Sequence, residues 1–286
     1  MTALPDHRRR FPLTIPHYVD RHRGKCSNRF TLPSIQTIEM ATALIVSHPR
    51  TTALDNLTQY LRADATCRPL NIVAVGAHPD DPETGCGGTL AKLAAEGHRV
   101  SIIYLTRGEA GIRNGDPKTT STLRSAEAIN GSALLGARAY FADQMDGQTT
   151  ADAPASQHFT SLLASLEPDV VFTHWPLDTH RDHRNAAQLT YEAWESLGET
   201  FTLMYYEVMT GIQTHHFDPN CFVDVSATAE QKRSAVYAHI CQNPDRFYPY
   251  HAKMEQERGS EAQLERAEAF VVVREKLPKP YLPFTM

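Results

Sequence analysis

From residue 70 onward the chain alternates short apolar runs with helix-forming stretches, and no other pattern narrows its fold so far. The run Asn71-Ile72-Val73-Ala74-Val75-Gly76 is continuous, without the polar alternation of a half-solvated strand. Strands that read this way are buried on both faces, as in parallel sheets covered by helices. Runs at 100–105, 139–142, 169–174, 202–208, 221–225 and 271–273 repeat the signal. Helical patterns separate them at 85–96, 121–135, 156–166, 183–197 and 227–240, with a final helix beginning near residue 260. Gly97 and Gly136 stand where helix C-caps belong, and Pro168 stops the helix before the fourth strand. The pattern predicts an α/β fold, a Rossmann-like three-layer sandwich with a mostly parallel sheet. Right-handed crossovers favour a strand order around 3-2-1-4-5. The chain then leaves strands 1 and 4 in opposite directions, and their carboxyl ends frame the crevice where such sheets keep their sites.

The 286 residues admit one large domain or two small ones. With no internal repeat or low-complexity segment, 41–286 is read as a single domain. The first forty residues differ. Arg8, Arg9, Arg10, Arg21, Arg23, Lys25 and Arg29 outnumber Asp6, Asp20 and Glu39, and four prolines interrupt the segment. No apolar region follows Arg10, so a secretory signal is not expected. The segment reads as a poorly ordered extension, with Met40 an alternative start that would make it an artefact of gene prediction. A net charge of −5 argues against a nucleic-acid partner, and no apolar run approaches a membrane span. Five scattered cysteines without a C-x-x-C pair favour reduced thiols and a cytoplasmic protein. Cys86, five residues after Asp81, is read as a small buried residue in a glycine-rich turn.

Two polar clusters follow the first and fourth apolar strands: His78-Pro79-Asp80-Asp81 and Asp178-Thr179-His180-Arg181-Asp182-His183. Hydrolytic zinc sites use three His or carboxylate ligands and leave a position open for water. His78, Asp81 and His183 supply such a His₂Asp set, which can also hold Fe²⁺ or Co²⁺. Asp80 is then available as general base for the water, and His180 as oxyanion stabiliser and acid. Each cluster alone has a blander reading. His-Pro-Asp-Asp could be a turn that caps a helix, and the two later histidines could lie on a solvated helix start. Their joint occurrence behind two buried strands favours a site. Gly85-x-Gly87-Gly88 lacks the order and position of a dinucleotide loop.

The stretch from Ala77 to Gly115 closely resembles the PIG-L/LmbE family of zinc-dependent N-acetylglucosaminyl deacetylases. The resemblance continues through Leu123-Arg124-Ser125-Ala126-Glu127, Leu135-Gly136, Met145-Asp146-Gly147 and His180-Arg181-Asp182-His183, covering roughly 70–190. It implies zinc at His78, Asp81 and His183, proton transfer by Asp80 and His180, and substrate contact by Arg124, with Asp146 and Asp178 assigned beside it. Pro82, Ile112 and the Arg181-Asp182 pair depart from commoner family residues without removing a proposed catalytic group. Lys232, His239, Gln242 and Glu268-Ala269-Phe270 resemble family segments that bear on the fold and pocket. The expected activity is metal-dependent removal of the N-acetyl group from a GlcNAc-containing small molecule, and a homo-oligomer is compatible with it. The alternatives are a zinc amidase acting on a thiol conjugate or other non-sugar amide, and a non-catalytic sugar-binding relative.

Overall fold

The structure, a computed structural model, describes residues 68–273, so the reading of residues 1–40 lies outside the described residues. Strands β1 (Asn71–Gly76), β2 (Arg99–Thr106), β3 (Ala137–Gln144), β4 (Val170–His174), β5 (Thr202–Tyr206), β6 (Cys221–Asp224) and β7 (Ala267–Val272) form one sheet. Their order is β3-β2-β1-β4-β5-β7-β6. The first five strands are parallel in the expected order, and β7 inserts antiparallel between β5 and β6. Six α-helices complete the described fold: α1 (Asp81–Ala95), α2 (Pro117–Leu134), α3 (Ala153–Ala164), α4 (Arg181–Ser196), α5 (Ala229–Tyr237) and α6 (Tyr248–Ala262).

Strand periodicity divides the core into two layers. Ile72 and Ala74 join Leu90, Tyr104, Phe172, Tyr206 and Ala235 on the face covered by α1, α2 and α5. Val73 and Val75 join Phe159, Leu163, Val171, Ala186 and Leu189 on the face covered by α3 and α4. The chain thus leaves β1 toward one face and β4 toward the other, which opens a crevice between their carboxyl ends.

Three expectations are corrected. Helix α1 begins at Asp81, directly on the His-Pro-Asp-Asp turn, and Cys86 breaks its regularity with φ −143°. The buried Glu268 carboxylate of β7 re-caps the helix beyond this break, accepting from Gly88 N at 2.9 Å and Thr89 N at 2.7 Å. Lys232 neutralises that carboxylate at 2.7 Å and also pairs with Glu255 at 2.9 Å. Helix α2 starts at Pro117, four residues before the expected position, because Asp116 accepts from Thr119 N and caps it. The last helix begins at Tyr248 and ends at Ala262, so it does not start near residue 260. Pro249 lies in its first turn, where the missing N–H costs no hydrogen bond.

Candidate metal centre and active site

The turn after β1 is tight. A Cβ on Gly76 would lie 2.5 Å from Pro82 Cδ, so only glycine lets the start of α1 fold back onto the strand end. Asp80 adopts φ 109°, left-handed backbone that costs a non-glycine residue roughly 1–3 kcal/mol. Arg124, buried on α2, clamps this turn. Its Nη2 donates to Pro79 O at 2.5 Å and to Asp80 Oδ2 at 3.3 Å, and its Nη1 donates to Gly108 O at 3.3 Å. Gly108 has φ +68°, and a Cβ there would meet the guanidinium at 2.4 Å.

Asp81 is the hub. Its Oδ2 accepts from His78 N at 2.7 Å and lies 3.3 Å from His78 Nδ1, and its Oδ1 lies 3.3 Å from His183 Nε2. Tetrahedral zinc with bonds of about 2.0–2.1 Å separates its ligand atoms by about 3.3 Å, so each spacing has the length of one such edge, the two running from different oxygens of the carboxylate. Among the described residues three groups bring donor atoms within 4.8 Å of one another: the ring nitrogens of His78, His180 and His183, the Asp81 carboxylate with His174 and His183, and His78 with the carboxylates of Asp146 and Asp182. His174, at the end of β4, is a weaker ligand because its Nε2 already accepts from Ala77 N at 3.1 Å. Its ring stacks on His183 with centroids 3.9 Å apart, and burial beside His183 depresses its pKa to about 4.

Carboxylates orient the two outer histidines. Asp178 Oδ2 lies 3.2 Å from His183 Nδ1, and its Oδ1 accepts from His180 N at 2.7 Å. Both oxygens of this buried group face protein donors, which sets Asp178 behind His183. Asp182, fully buried, faces His78 Nε2 at 3.2 Å while accepting from Gly147 N and Thr149 Oγ1, each at 2.7 Å. Such partners fix the ring orientation of a metal-ligating histidine and raise its basicity. Asp146 lines the cavity and also reaches His78 Nε2 at 3.2 Å.

Burial lowers the His183 pKa, but Asp81 and Asp178 outweigh it and lift the ring to about 9. Burial acts the other way on Asp80 and, with the neighbouring Asp81 charge, raises it to about 6 against the pull of Arg124, His239 and His78. His180 caps α4, its Nδ1 accepting from Asp182 N, and its exposed ring packs edge-on against His78 at 4.6 Å. Behind the turn, Glu83 Oε1 accepts from Tyr104 Oη at 2.5 Å and faces His239 Nε2 at 3.0 Å.

A cavity of about 450 Å³ joins His78, Asp80, Asp81, Arg124, Asp146, His180 and His183. Seven of the eight expected site residues therefore line one space, Asp178 lying behind it. Val208, Met209, Gln213, Gln242, Phe247 and His251 line it too, and pattern reading assigned no catalytic or substrate contact to them. Gln242 carried a signal through its resemblance to a family segment, and Met209 and Gln213 only as members of the loop 209–220 expected to shape specificity.

A doubly wound sheet with a His/Asp cluster and a further buried carboxyl group, that of Asp80, at its switch point defines a candidate metal-dependent hydrolase. Residues 73–194 match the PIG-L family, GlcNAc-PI de-N-acetylase, and the chain belongs to that family. It is 29% identical over 189 residues to the diacetylchitobiose deacetylase of Thermococcus kodakarensis, covering 61% of this chain and 70% of that one. It is 32% identical over 154 residues to the 1D-myo-inositol 2-acetamido-2-deoxy-alpha-D-glucopyranoside deacetylase of Corynebacterium diphtheriae. There the match spans 44% of this chain and about half (52%) of the relative. The crystal structure of the conserved protein TT1542 from Thermus thermophilus superposes with a TM-score of 0.63 at 32% identity, covering 76% of this chain and 99% of that one. No helix among the described residues is long and apolar enough to cross a membrane.

Proposed function

We propose that the protein hydrolyses the N-acetyl group of a GlcNAc-containing small molecule, with zinc held by His78, Asp81 and His183. The observation that carries this reading is the 3.3 Å spacing of donor atoms around Asp81, on the wall of the cavity that Asp80 also lines. Zinc bound there would acidify water and polarise the acetamide carbonyl. Asp80, held forward by its left-handed backbone and by Arg124, takes a proton from the attacking water. His180 donates a hydrogen bond to the oxygen of the former carbonyl, and the proton taken by Asp80 passes to the nitrogen as the C–N bond breaks. The products are acetate and the free amine. Asp178 and Asp182 keep His183 and His78 in register while charge moves. Arg124 and Asp146 border the space where the sugar would lie.

The reading is tested by measuring bound metal per chain and amine release from a panel of GlcNAc conjugates and non-sugar acetamides. One metal per chain and chelator-sensitive release from the GlcNAc compounds are expected. Release confined to non-sugar amides, or none from metal-loaded protein, would overturn it.

A further inference from the structure

Helix α1 consists of two pieces, and Glu268 caps only the second. The kink at Cys86 sets residues 81–85 off as a first turn. Asp80 stands at the amino end of that turn, its carbonyl oxygen accepting from Thr84 N at 3.0 Å. Rotation of the turn therefore moves the Asp80 carboxylate. Arg124 restrains one side of it, through Pro79 O. Glu83 restrains the other. Its Oε1 takes donors from two distant parts of the fold, Tyr104 Oη of β2 at 2.5 Å and His239 Nε2 at 3.0 Å. An ionised carboxylate only accepts, which puts the proton on Nε2. All three side chains are fully buried, and His239 opens the 3₁₀ turn Ile240–Gln242.

Stability alone does not account for this arrangement. Glu83 Oε2 and His239 Nδ1 are buried without a hydrogen-bond partner among the described residues. Helix α2 carries glycine at interior position 131, where a Cβ would lie 2.9 Å from His239 Nε2 and 3.0 Å from Glu83 Oε1. Glycine inside a helix weakens it. Well-packed apolar side chains in place of a buried carboxylate and its partner are often neutral or stabilising. Departures of this kind gather where a site needs a fixed geometry. The reacting group within reach is Asp80, on which the charge of His239 acts.

We infer that Glu83, with Tyr104 and His239 as its donors, is a positioning residue that fixes the rotation of the first turn of α1 and so aims Asp80 at the attacking water. The inference rests on the deacetylase reading and adds to it three residues that do not line the cavity.

The test uses full-length, metal-loaded protein with two separate readouts. One is amine release from N,N′-diacetylchitobiose, or from whichever GlcNAc conjugate of the panel is turned over fastest. The other is amide hydrogen exchange at Thr84. Tyr104→Phe and His239→Leu each remove one donor, and His239→Gln restores an N–H to face Glu83. The two donor-lacking variants should lose about 10–100-fold in kcat with KM within about threefold, the pattern of a misplaced catalytic group, and His239→Gln should return kcat to within about threefold of wild type. Exchange at Thr84 should quicken about tenfold in the donor-lacking variants while the amides of β1 and β2 keep their protection. Tyr104→Phe keeps the ring and its stacking on Phe141, so it carries the test should His239→Leu fail to fold. Unchanged kcat, a loss that His239→Gln does not reverse, or exchange that rises throughout the sheet overturns the positioning role alone. No amine from wild-type protein with any GlcNAc conjugate overturns the deacetylase reading, while exchange at Thr84 still decides whether Glu83 holds the turn.

Discussion

Replacing Arg124 with lysine separates two accounts of that residue. The family resemblance implies an arginine that touches substrate, whereas the geometry places its guanidinium on the Asp80 turn. Lysine keeps a positive charge near Asp80 but lacks the planar fork that serves Pro79 O, Asp80 Oδ2 and Gly108 O together. The 2.5 Å bond to Pro79 O is the shortest of the three. A hydrogen bond from a charged donor is worth about 1.5–3 kcal/mol, close to the roughly 1–3 kcal/mol of strain at Asp80. Without the clamp the backbone can relax away from φ 109°, and the carboxylate leaves its position beside the metal ligands. If that preference is lost, kcat should fall by about one to two orders of magnitude, since 1.4 kcal/mol is tenfold in rate. KM should stay within about threefold and bound metal should be unchanged, because His78, Asp81 and His183 do not touch Arg124 directly. Steady-state kinetics on an active GlcNAc conjugate, paired with metal analysis, measure all three quantities. A raised KM with unchanged kcat would refute the clamp and favour direct substrate binding.

Three further outcomes follow from the same geometry. Asp80→Asn should retain metal and lose about 10²–10⁴ in kcat, the range of a missing general base; loss of metal would instead make Asp80 a ligand. Asp178→Asn should weaken metal affinity about 10–100-fold in chelator competition, because His183 loses its orienting carboxylate; unchanged affinity would contradict that role. Glu268→Ala should cost about 3–5 kcal/mol in denaturant unfolding, since it deprives buried Lys232 of one partner and uncaps Gly88 N and Thr89 N. A loss below 1 kcal/mol would show that Glu255 alone satisfies the lysine.

The first half of the molecule was legible because buried parallel strands write themselves as unbroken apolar runs. Ile72–Val75 and Val170–Phe172 are such runs, and the chemistry lies immediately after each. The spacing of His180 and His183 survived as a signal because a helix start holds both toward one crevice. His174 was harder to place, since a histidine closing an apolar strand looks the same whether it packs or reacts. Sequence gives Asp178 proximity to His183 without direction, and only the fold turns its carboxylate toward that ring. The cavity's remaining wall was hidden for a different reason. Met209, Gln242, Phe247 and His251 come from turns and a proline-started helix, and only tertiary contact brings them to the site. The insertion of β7 between β5 and β6 could not be read from strand content, because an antiparallel edge has no local signature.

That insertion sets an order on biosynthesis. As the chain emerges from its amino end, β1 to β5 can pair among themselves, bringing His78, Asp81 and His183 together. Among the described strands, β6 pairs with β7 alone and must wait until residues 267–272 have been made. The same late strand delivers the carboxylate that caps the broken end of α1. A nascent chain stopped before β7 would thus bring those side chains together while β6 lacks its partner and the broken end of α1 its cap, and the final strand acts as the latch that closes the fold.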